Sequence, residues 1–184
     1  EFIKYRIIYD FEYWAYSFIF IKDKVSPKDI PFKLNRAQRR VLNKLEKLRK
    51  AGKPIKFILL KARQWGGSTL VQIYMLWIML VHRRNWNTVI CGDVETQSRN
   101  VRAMITKALN KYPSYLLGET VKFTPFEGSS KNKVIQNTNC VVSIGSFQKP
   151  DTLRSGDISG AHLTEIGLWR ATPGKKPEDL IQSI

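Results

Sequence analysis

The pattern of side chains changes from strand to helix within Ile55-Lys-Phe-Ile-Leu-Leu-Lys-Ala-Arg-Gln-Trp-Gly-Gly-Ser-Thr-Leu70. Residues 55–60 form a short apolar run that is typical of a buried parallel strand. Residues 61–67 form a polar turn that ends in two glycines, and residues 68 to about 82 are apolar on nearly every side. Such a segment predicts a helix that is buried against a sheet. A turn between a strand and a helix can bind phosphates through backbone N–H groups.

The alternation of strands and helices continues after this turn. Residues 88–92 are a second short apolar run, and a helical pattern follows at about 95–111. We expect later strands near residues 121–124, 134–135 and 140–144. Strands that alternate with helices are joined by crossover connections. The predicted fold class is therefore α/β, with a mainly parallel sheet and flanking helices.

A basic helix is predicted before the turn. Asn35 stands at an N-cap position, and Val41, Leu42, Leu45 and Leu48 recur at helical spacing. Gly52 and Pro54 end the pattern. The aromatic-rich start of the chain predicts strands, or a strand and a helix. We divide the chain into a lead-in segment, residues 1–32, and a main domain, residues 33–184.

Positive charge dominates the composition. The formal net charge is +16, and ten Lys or Arg residues but only one acid, Glu46, lie between Lys33 and Lys56. Such a run favours a polyanionic partner, with nucleic acid as the first candidate. The alternative is that the basic surface only aids solubility.

Cysteine usage and hydropathy restrict the compartment. Cys91 and Cys140 are isolated and lack metal-type spacing, which favours a reducing environment over a disulfide framework. Lys4, Arg6 and other charges interrupt the apolar start of the chain, which does not have the shape of a signal peptide. The apolar run at 70–81 is too short to cross a bilayer. We therefore expect no membrane partner.

The glycine turn satisfies part of the phosphate-binding pattern G-x-x-x-x-G-K-[ST]. Gly66 occupies the second glycine position, and Ser68 occupies the position of the hydroxyl that binds Mg²⁺. Gly67 stands where the pattern has lysine, and Lys61 stands where it has the first glycine. Lys61 and Arg63 nevertheless place positive charge where a triphosphate would need it. A nucleotide site and a glycine-rich turn without a ligand both remain open from these residues.

The turn resembles the ATPase loop of phage terminase large subunits. Ala62-Arg63-Gln64-Trp65-Gly66-Gly67-Ser68 is similar to forms such as S-R-Q-L-G-K-T, and Arg63 matches an arginine that is characteristic of these loops. In lambda-like terminases the lysine is displaced to the front of the loop, as Lys61 is here. Gly67 departs from the commoner form.

This resemblance implies a P-loop NTPase-like ATPase domain over residues 33–184, with ATP and Mg²⁺ as cofactors. The implied nucleotide contacts, besides Gln38, are Lys61, Ala62, Arg63, Gln64, Trp65, Gly66, Gly67, Ser68 and Thr69. Ser68 would also bind the metal, and Lys61 and Arg63 would offset charge during catalysis. For Trp65, as for Trp169, packing is the alternative role.

Two flanking segments extend the resemblance. Ile30-Pro-Phe-Lys-Leu-Asn-Arg-Ala-Gln38 is similar to the terminase segment whose glutamine reads adenine, although Gln38 also stands at the capping-box position of the predicted helix. The two roles are compatible.

The second segment lies downstream. Gly160-Ala-His-Leu-Thr-Glu165 falls where a Walker B strand ends, after a segment at 143–156 that resembles an Arg-Gly element. This makes Glu165 the candidate that activates water. Thr164 replaces the usual aspartate, and Asp157 is a candidate substitute for it. The alternative for Glu165 is a surface glutamate after a short strand.

The resemblance implies a motor that translocates double-stranded DNA into a procapsid in the host cytoplasm. The implied partners are DNA, further copies in a ring, a portal protein and a small terminase subunit. No acidic nuclease cluster is seen, so we expect a part of a longer protein. The alternatives are a helicase-like, nucleic-acid-dependent ATPase and a non-catalytic basic DNA-binding module.

Overall fold

The computed structural model describes residues 1–23, 25–60, 65–93, 95–116, 122, 132–148 and 157–182. The helices in this part of the chain are α1 (Phe2–Tyr9), α2 (Phe11–Phe18), α3 (Arg36–Lys50), α4 (Gly67–Trp77), α5 (Glu95–Asn110) and α6 (Pro177–Gln182). The strands are β1 (Phe20–Lys22), β2 (Asp29–Pro31), β3 (Asn87–Gly92), β4 (Asn132–Ile135), β5 (Cys140–Ser146) and β6 (Gly160–Leu163). A π-helical turn, Ile78–His82, extends α4, and 3₁₀ turns cover Ser114–Leu116 and Ile166–Leu168.

The central sheet has the strand order β4-β5-β3-β6. β3 is parallel to both β5 and β6, with Ile90 opposite Ile144 and Cys91 opposite Leu163. β4 is antiparallel to β5 at one edge. This confirms the predicted mixed α/β fold with a mainly parallel sheet. The carboxyl ends of β3, β5 and β6 consequently meet at one edge of the sheet.

The prediction of a strand at residues 55–60 is wrong. Residues 53–60 have no regular structure, and the side chains of Ile58 and Leu60 are 98% and 100% exposed. A buried parallel strand needs a neighbouring strand to satisfy its backbone N–H and C=O groups. Within the described residues no strand pairs with this segment, and β6 forms the edge of the sheet.

Helix α4 is the centre of the hydrophobic core, as its all-round apolar pattern predicts. Leu70, Ile73, Leu76 and Trp77 are almost completely buried. The core cluster also contains residues of α1, α2, α3, α5, β3 and β5. Because this helix touches several layers, its first turn is held at a fixed place at the edge of the sheet.

The lead-in segment consists of two helices and a β1–β2 hairpin, which differs from the strands, or strand and helix, predicted there. Four of its aromatic side chains, Phe11, Trp14, Phe18 and Phe32, are buried in the same core as α4. The Trp14 indole N–H donates to the Tyr112 hydroxyl at 2.9 Å, and the Trp77 indole N–H donates to the Ile7 carbonyl oxygen at 2.9 Å. Of the helices that the structure describes, none is both long and apolar enough to cross a bilayer.

Truncating Ile90 should destabilise the chain, whereas truncating Ile58 should not. Ile90 lies on the central strand and is 1% exposed, so Ile90→Ala should lower the free energy of unfolding by about 2–5 kcal/mol. The matched control Ile58→Ala should change it by less than about 0.5 kcal/mol, because that side chain already contacts solvent. Urea unfolding followed by circular dichroism measures both. Equal losses would show that residues 53–60 pack in a core.

Candidate nucleotide-binding site

The glycine turn opens directly into helix α4. Gly66 is the N-cap, with φ 82° and ψ 24°, and its carbonyl oxygen accepts the Leu70 N–H at 3.0 Å. Gly66 has no side chain, so the N-cap residue itself does not cap this end of the helix. The N–H groups of Gly67, Ser68 and Thr69 precede the first helical hydrogen bond, and in the described part of the chain none of them donates to a protein acceptor. Three such groups at the positive end of a helix can bind an anion.

The first turn of α3 holds the glycine turn in place. The side-chain amide of Asn35 donates to the Trp65 carbonyl oxygen at 3.0 Å, and that of Gln38 donates to the Gly66 carbonyl oxygen at 3.0 Å. Both acceptors therefore point towards α3 and away from any ligand at the N–H groups. The bonds place α3 against the turn, although the two are far apart in the sequence.

Gln38 forms the capping box that its position predicts. The Gln38 N–H donates to Asn35 Oδ1, and the Asn35 N–H donates to Gln38 Oε1, each at 2.9 Å. The Gln38 side chain is buried, with 4% of the residue exposed. Its Oε1 is thus occupied by the cap, while its amide nitrogen bonds the turn. The adenine-reading role of Gln38 remains a prediction.

Only glycine fits at position 66. Its φ of 82° lies in the left-handed region, which side chains with a Cβ rarely adopt. A Cβ at this position would also lie 2.7 Å from Gln38 Nε2. The glycine in the sequence motif is therefore required by both backbone conformation and close packing.

Ser68 lies beside the carboxyl end of β6. Its hydroxyl oxygen is 3.4 Å from the hydroxyl oxygen of Thr164, and both residues are partly buried. The Thr164 N–H donates to the Cys91 carbonyl oxygen at 2.8 Å, which fixes this strand end against β3. The structure thus brings together the predicted metal-binding serine and the strand end predicted to carry the acidic motif.

Glu165 directly follows this contact. It is exposed and has φ 58°, and it begins the 3₁₀ turn Ile166–Leu168. The left-handed conformation ends β6 and starts a change in chain direction at the predicted catalytic residue.

Asp157, considered as a substitute for the missing aspartate, precedes β6 at the strand's opposite end. There the Ser159 N–H donates to the Asn87 carbonyl oxygen. The structure therefore does not place Asp157 with Ser68.

The side chains in contact at this edge offer oxygen ligands of the type that Mg²⁺ prefers, but they carry no negative charge. Mg²⁺ prefers oxygen ligands and is commonly held through one or two protein groups together with substrate phosphates. The Ser68 and Thr164 hydroxyls are oxygen donors and are neutral. Among the described residues, no three acidic, histidine or cysteine side chains gather as a metal site. The residues therefore fit a metal that is bound together with a nucleotide.

Cys91 is not a reactive group at this edge. Burial raises the pKa of the Cys91 thiol to about 12, and the negative charge of Asp93 adds to the shift. A thiol with this pKa is protonated at neutral pH and is a poor nucleophile or metal ligand.

Trp169, next to the same edge, is buried and stacks on Phe147 at 4.8 Å, which confirms packing as its role.

The described residues include only part of the predicted loop. Lys61, Ala62, Arg63 and Gln64 lie outside the described residues, as does the Arg-Gly element at 154–156, and their roles remain predictions. Trp65 is partly buried and packs against the main core. Thr69 is partly buried in the first turn of α4.

The sequence did not predict that Asn35 holds the turn. Its side chain bonds Trp65, which is far away in the sequence, and local patterns do not reveal such a contact.

Comparison with known proteins identifies a shared fold. No protein-family model matches the chain, and no curated protein matches it. The structure is similar to the crystal structure of the HK97 bacteriophage large terminase, with a TM-score of 0.65 and 18% sequence identity. The match covers 98% of this chain and 34% of the terminase chain, so the present chain spans about a third of that protein's length. The α/β architecture described above is therefore one that a phage large terminase also contains.

Replacing Gly66 by alanine should disturb the turn and its bond to α3. The left-handed backbone costs about 1–2 kcal/mol for a residue with a Cβ, and displacing the Gln38 amide costs a further 0.5–1.5 kcal/mol, roughly. Urea unfolding of Gly66→Ala should show a loss of this size. Gly174→Ala is the control, because nothing lies within 4 Å of a Cβ there. A Gly66→Ala variant as stable as the control would contradict the geometry of the turn.

Proposed function

We propose that this chain binds ATP with Mg²⁺ at the glycine turn and hydrolyses it to move double-stranded DNA into a viral procapsid. The observation that supports this most is the contact between Ser68 and Thr164. It joins the start of a buried helix, where N–H groups are free among the described residues, to the strand end that carries Glu165. The fold similarity to a phage large terminase supports the choice of motor.

Phosphate binding would use the backbone. The N–H groups of Gly67, Ser68 and Thr69 would donate to the phosphate oxygens, and the dipole of α4 would favour their negative charge. Lys61 and Arg63 would supply the positive side chains, since Gly67 has none. A lysine on a flexible stem can reach β- and γ-phosphate oxygens from more than one position of a loop.

Hydrolysis would depend on Ser68 and Glu165. Ser68 Oγ would be the protein ligand of Mg²⁺, which neutralises charge on the phosphates when it is bound. Glu165 would orient and deprotonate the attacking water. Thr164 is within hydrogen-bonding distance of Ser68 and would hold its hydroxyl in position. Gln38 would retain its cap to α3 and its bond to Gly66, and would offer the second N–H of its amide to adenine.

The same proposal includes an assembly. Copies of the chain would form a ring around double-stranded DNA, and an arginine of a neighbouring copy would complete each site. A portal protein and a small terminase subunit would be the other partners. The strongly basic composition, +16 at neutral pH, supports the DNA partner.

A second candidate is a basic DNA-binding module without ATPase activity. The observation that favours it is that the two side chains in contact at the edge, Ser68 and Thr164, are both neutral. Such a module would bind DNA through its positive charge and would not respond to nucleotide. The experiments below separate the two candidates.

Binding of nucleotide should depend on Lys61. Calorimetric titration of Mg-ATPγS into the chain should show binding, and Lys61→Ala should weaken it roughly 10- to 100-fold, as expected for one charge-assisted hydrogen bond. Lys28→Ala, an exposed lysine on the β1–β2 hairpin, is the charge-matched control and should bind as the wild type does. A folded wild-type chain that binds no nucleotide would favour the non-catalytic module.

Glu165 should affect turnover without affecting binding. Glu165→Gln keeps the size of the side chain and removes its basicity, so phosphate release in the presence of DNA should fall about 10²- to 10⁴-fold. The affinity for Mg-ATPγS should remain within a few fold. Asp157→Asn, at the other end of β6, serves as the control. Unchanged turnover in Glu165→Gln would assign water activation to another residue.

A further inference from the structure

One face of α3 carries a row of positive side chains that the proposed nucleotide site does not use. We call Arg36, Arg40, Lys44 and Lys47 the basic face. They follow one another at intervals of four, four and three residues, which places them on one side of a helix. All four are exposed. The opposite side of α3 is buried through Val41, Leu42 and Leu45.

Ion pairs among the described residues leave the charges of the basic face unneutralised. Within the described residues, no carboxylate lies within ion-pairing distance of these four side chains. Other cations of α3 are paired: Arg39 with Glu12, and Arg49 with Glu46 at 2.7 Å. In the described part of the chain, the cations of this helix therefore form two sets, one with carboxylate partners and one, the basic face, that is exposed and forms no ion pair.

Helix α3 is held rigidly at both ends. Its first turn has the capping box and the bonds from Asn35 and Gln38 to the glycine turn. Near its other end, Glu46 accepts from Arg49 and also from the Tyr74 hydroxyl, at 2.6 Å, which ties it to α4. The basic face is thus presented on a fixed frame, so binding there costs little ordering of the backbone.

The shape and composition of the basic face fit a nucleic acid duplex. From Arg36 to Lys47 the row is about 16 Å long, at a rise of 1.5 Å per residue, which exceeds the major-groove width of about 12 Å. No residue of α3 is aromatic, whereas proteins that bind single strands stack bases on aromatic rings. The apolar side of the helix is inside the core, so it cannot insert into a lipid surface as a membrane-bound amphipathic helix does.

We infer that the basic face of α3 binds the phosphate backbone of double-stranded DNA. This deepens the proposed function, because it names the surface that contacts the proposed DNA partner, but it requires no bound nucleotide. The same helix bonds the carbonyl groups of Trp65 and Gly66, so the DNA surface and the nucleotide turn share one rigid element.

The test is the salt dependence of duplex binding, measured by fluorescence anisotropy of a labelled duplex of mixed sequence in increasing KCl. Each phosphate contact contributes about 0.9 to the slope of log K against log salt. The variant Arg36→Gln, Arg40→Gln, Lys44→Gln and Lys47→Gln should therefore reduce the slope by up to about 3.6. Glutamine has nearly the helix propensity of lysine and arginine, so the variant should fold, and circular dichroism checks this.

The control removes the same charge elsewhere. It carries glutamine at four other exposed lysines, Lys4, Lys22, Lys28 and Lys176. We expect it to keep the wild-type slope within about one phosphate contact. Equal losses in the two variants would mean that only net charge attracts DNA, and would overturn the inference. A single strand bound as tightly as the duplex, with the same slope, would also overturn it.

The outcome is separate from that of the nucleotide experiments. The basic-face variant should bind Mg-ATPγS as the wild type does while losing duplex affinity. If the wild type bound no nucleotide but the basic-face variant still lost the salt-dependent binding, the proposed ATPase would fail and the DNA surface would stand. A wild-type chain that does not bind the duplex would overturn the DNA surface.

Discussion

The geometry of the candidate site depends on the hydrogen bond between the Gln38 amide and the Gly66 carbonyl oxygen. Gln38 is buried, and an unpaired amide in such a place would cost about 1–3 kcal/mol, so the bond must form. It forms only because Gly66 has no Cβ and adopts a left-handed conformation. The resulting turn starts α4 with its first N–H groups uncapped by any residue that the structure describes. Burial of α4 then carries Ser68 to the end of β6.

In the proposal, a deviant sequence motif binds phosphate through backbone N–H groups. The described part of the motif consists of Gly66 and the first turn of α4. The charged parts are altered, since Gly67 and Thr164 stand where the usual motifs have a lysine and an aspartate. In the proposal, Lys61 supplies the missing positive charge, and Ser68 binds the metal without the usual aspartate. The altered positions therefore change electrostatics more than shape.

Much of the fold could be predicted from local patterns. The α3 helix and its capping box follow from Asn35 and Gln38 three residues apart, and α4 follows from its continuous apolar run. The prediction of a strand at 55–60 was wrong. An apolar run indicates that burial is favourable, but it does not indicate that a neighbouring strand is present to pair with it. The lead-in was also misjudged, since its aromatic residues suit either helix or strand. Within the site, the Ser68–Thr164 contact agrees with the order of motifs, whereas the bond from Asn35 to Trp65 joins distant segments and leaves no local signal.

A phosphate site at the start of α4 is tested most simply by observing the backbone N–H groups of the turn while nucleotide is added. In ¹⁵N–¹H correlation spectra, we expect Mg-ATPγS to shift the amide resonances of Gly67, Ser68 and Thr69. Those of the β1–β2 hairpin should stay unchanged. Saturable shifts confined to the turn and to the region around Thr164 would support a phosphate site at the start of α4. Unchanged turn amides at saturating nucleotide would contradict it, wherever else the nucleotide were bound.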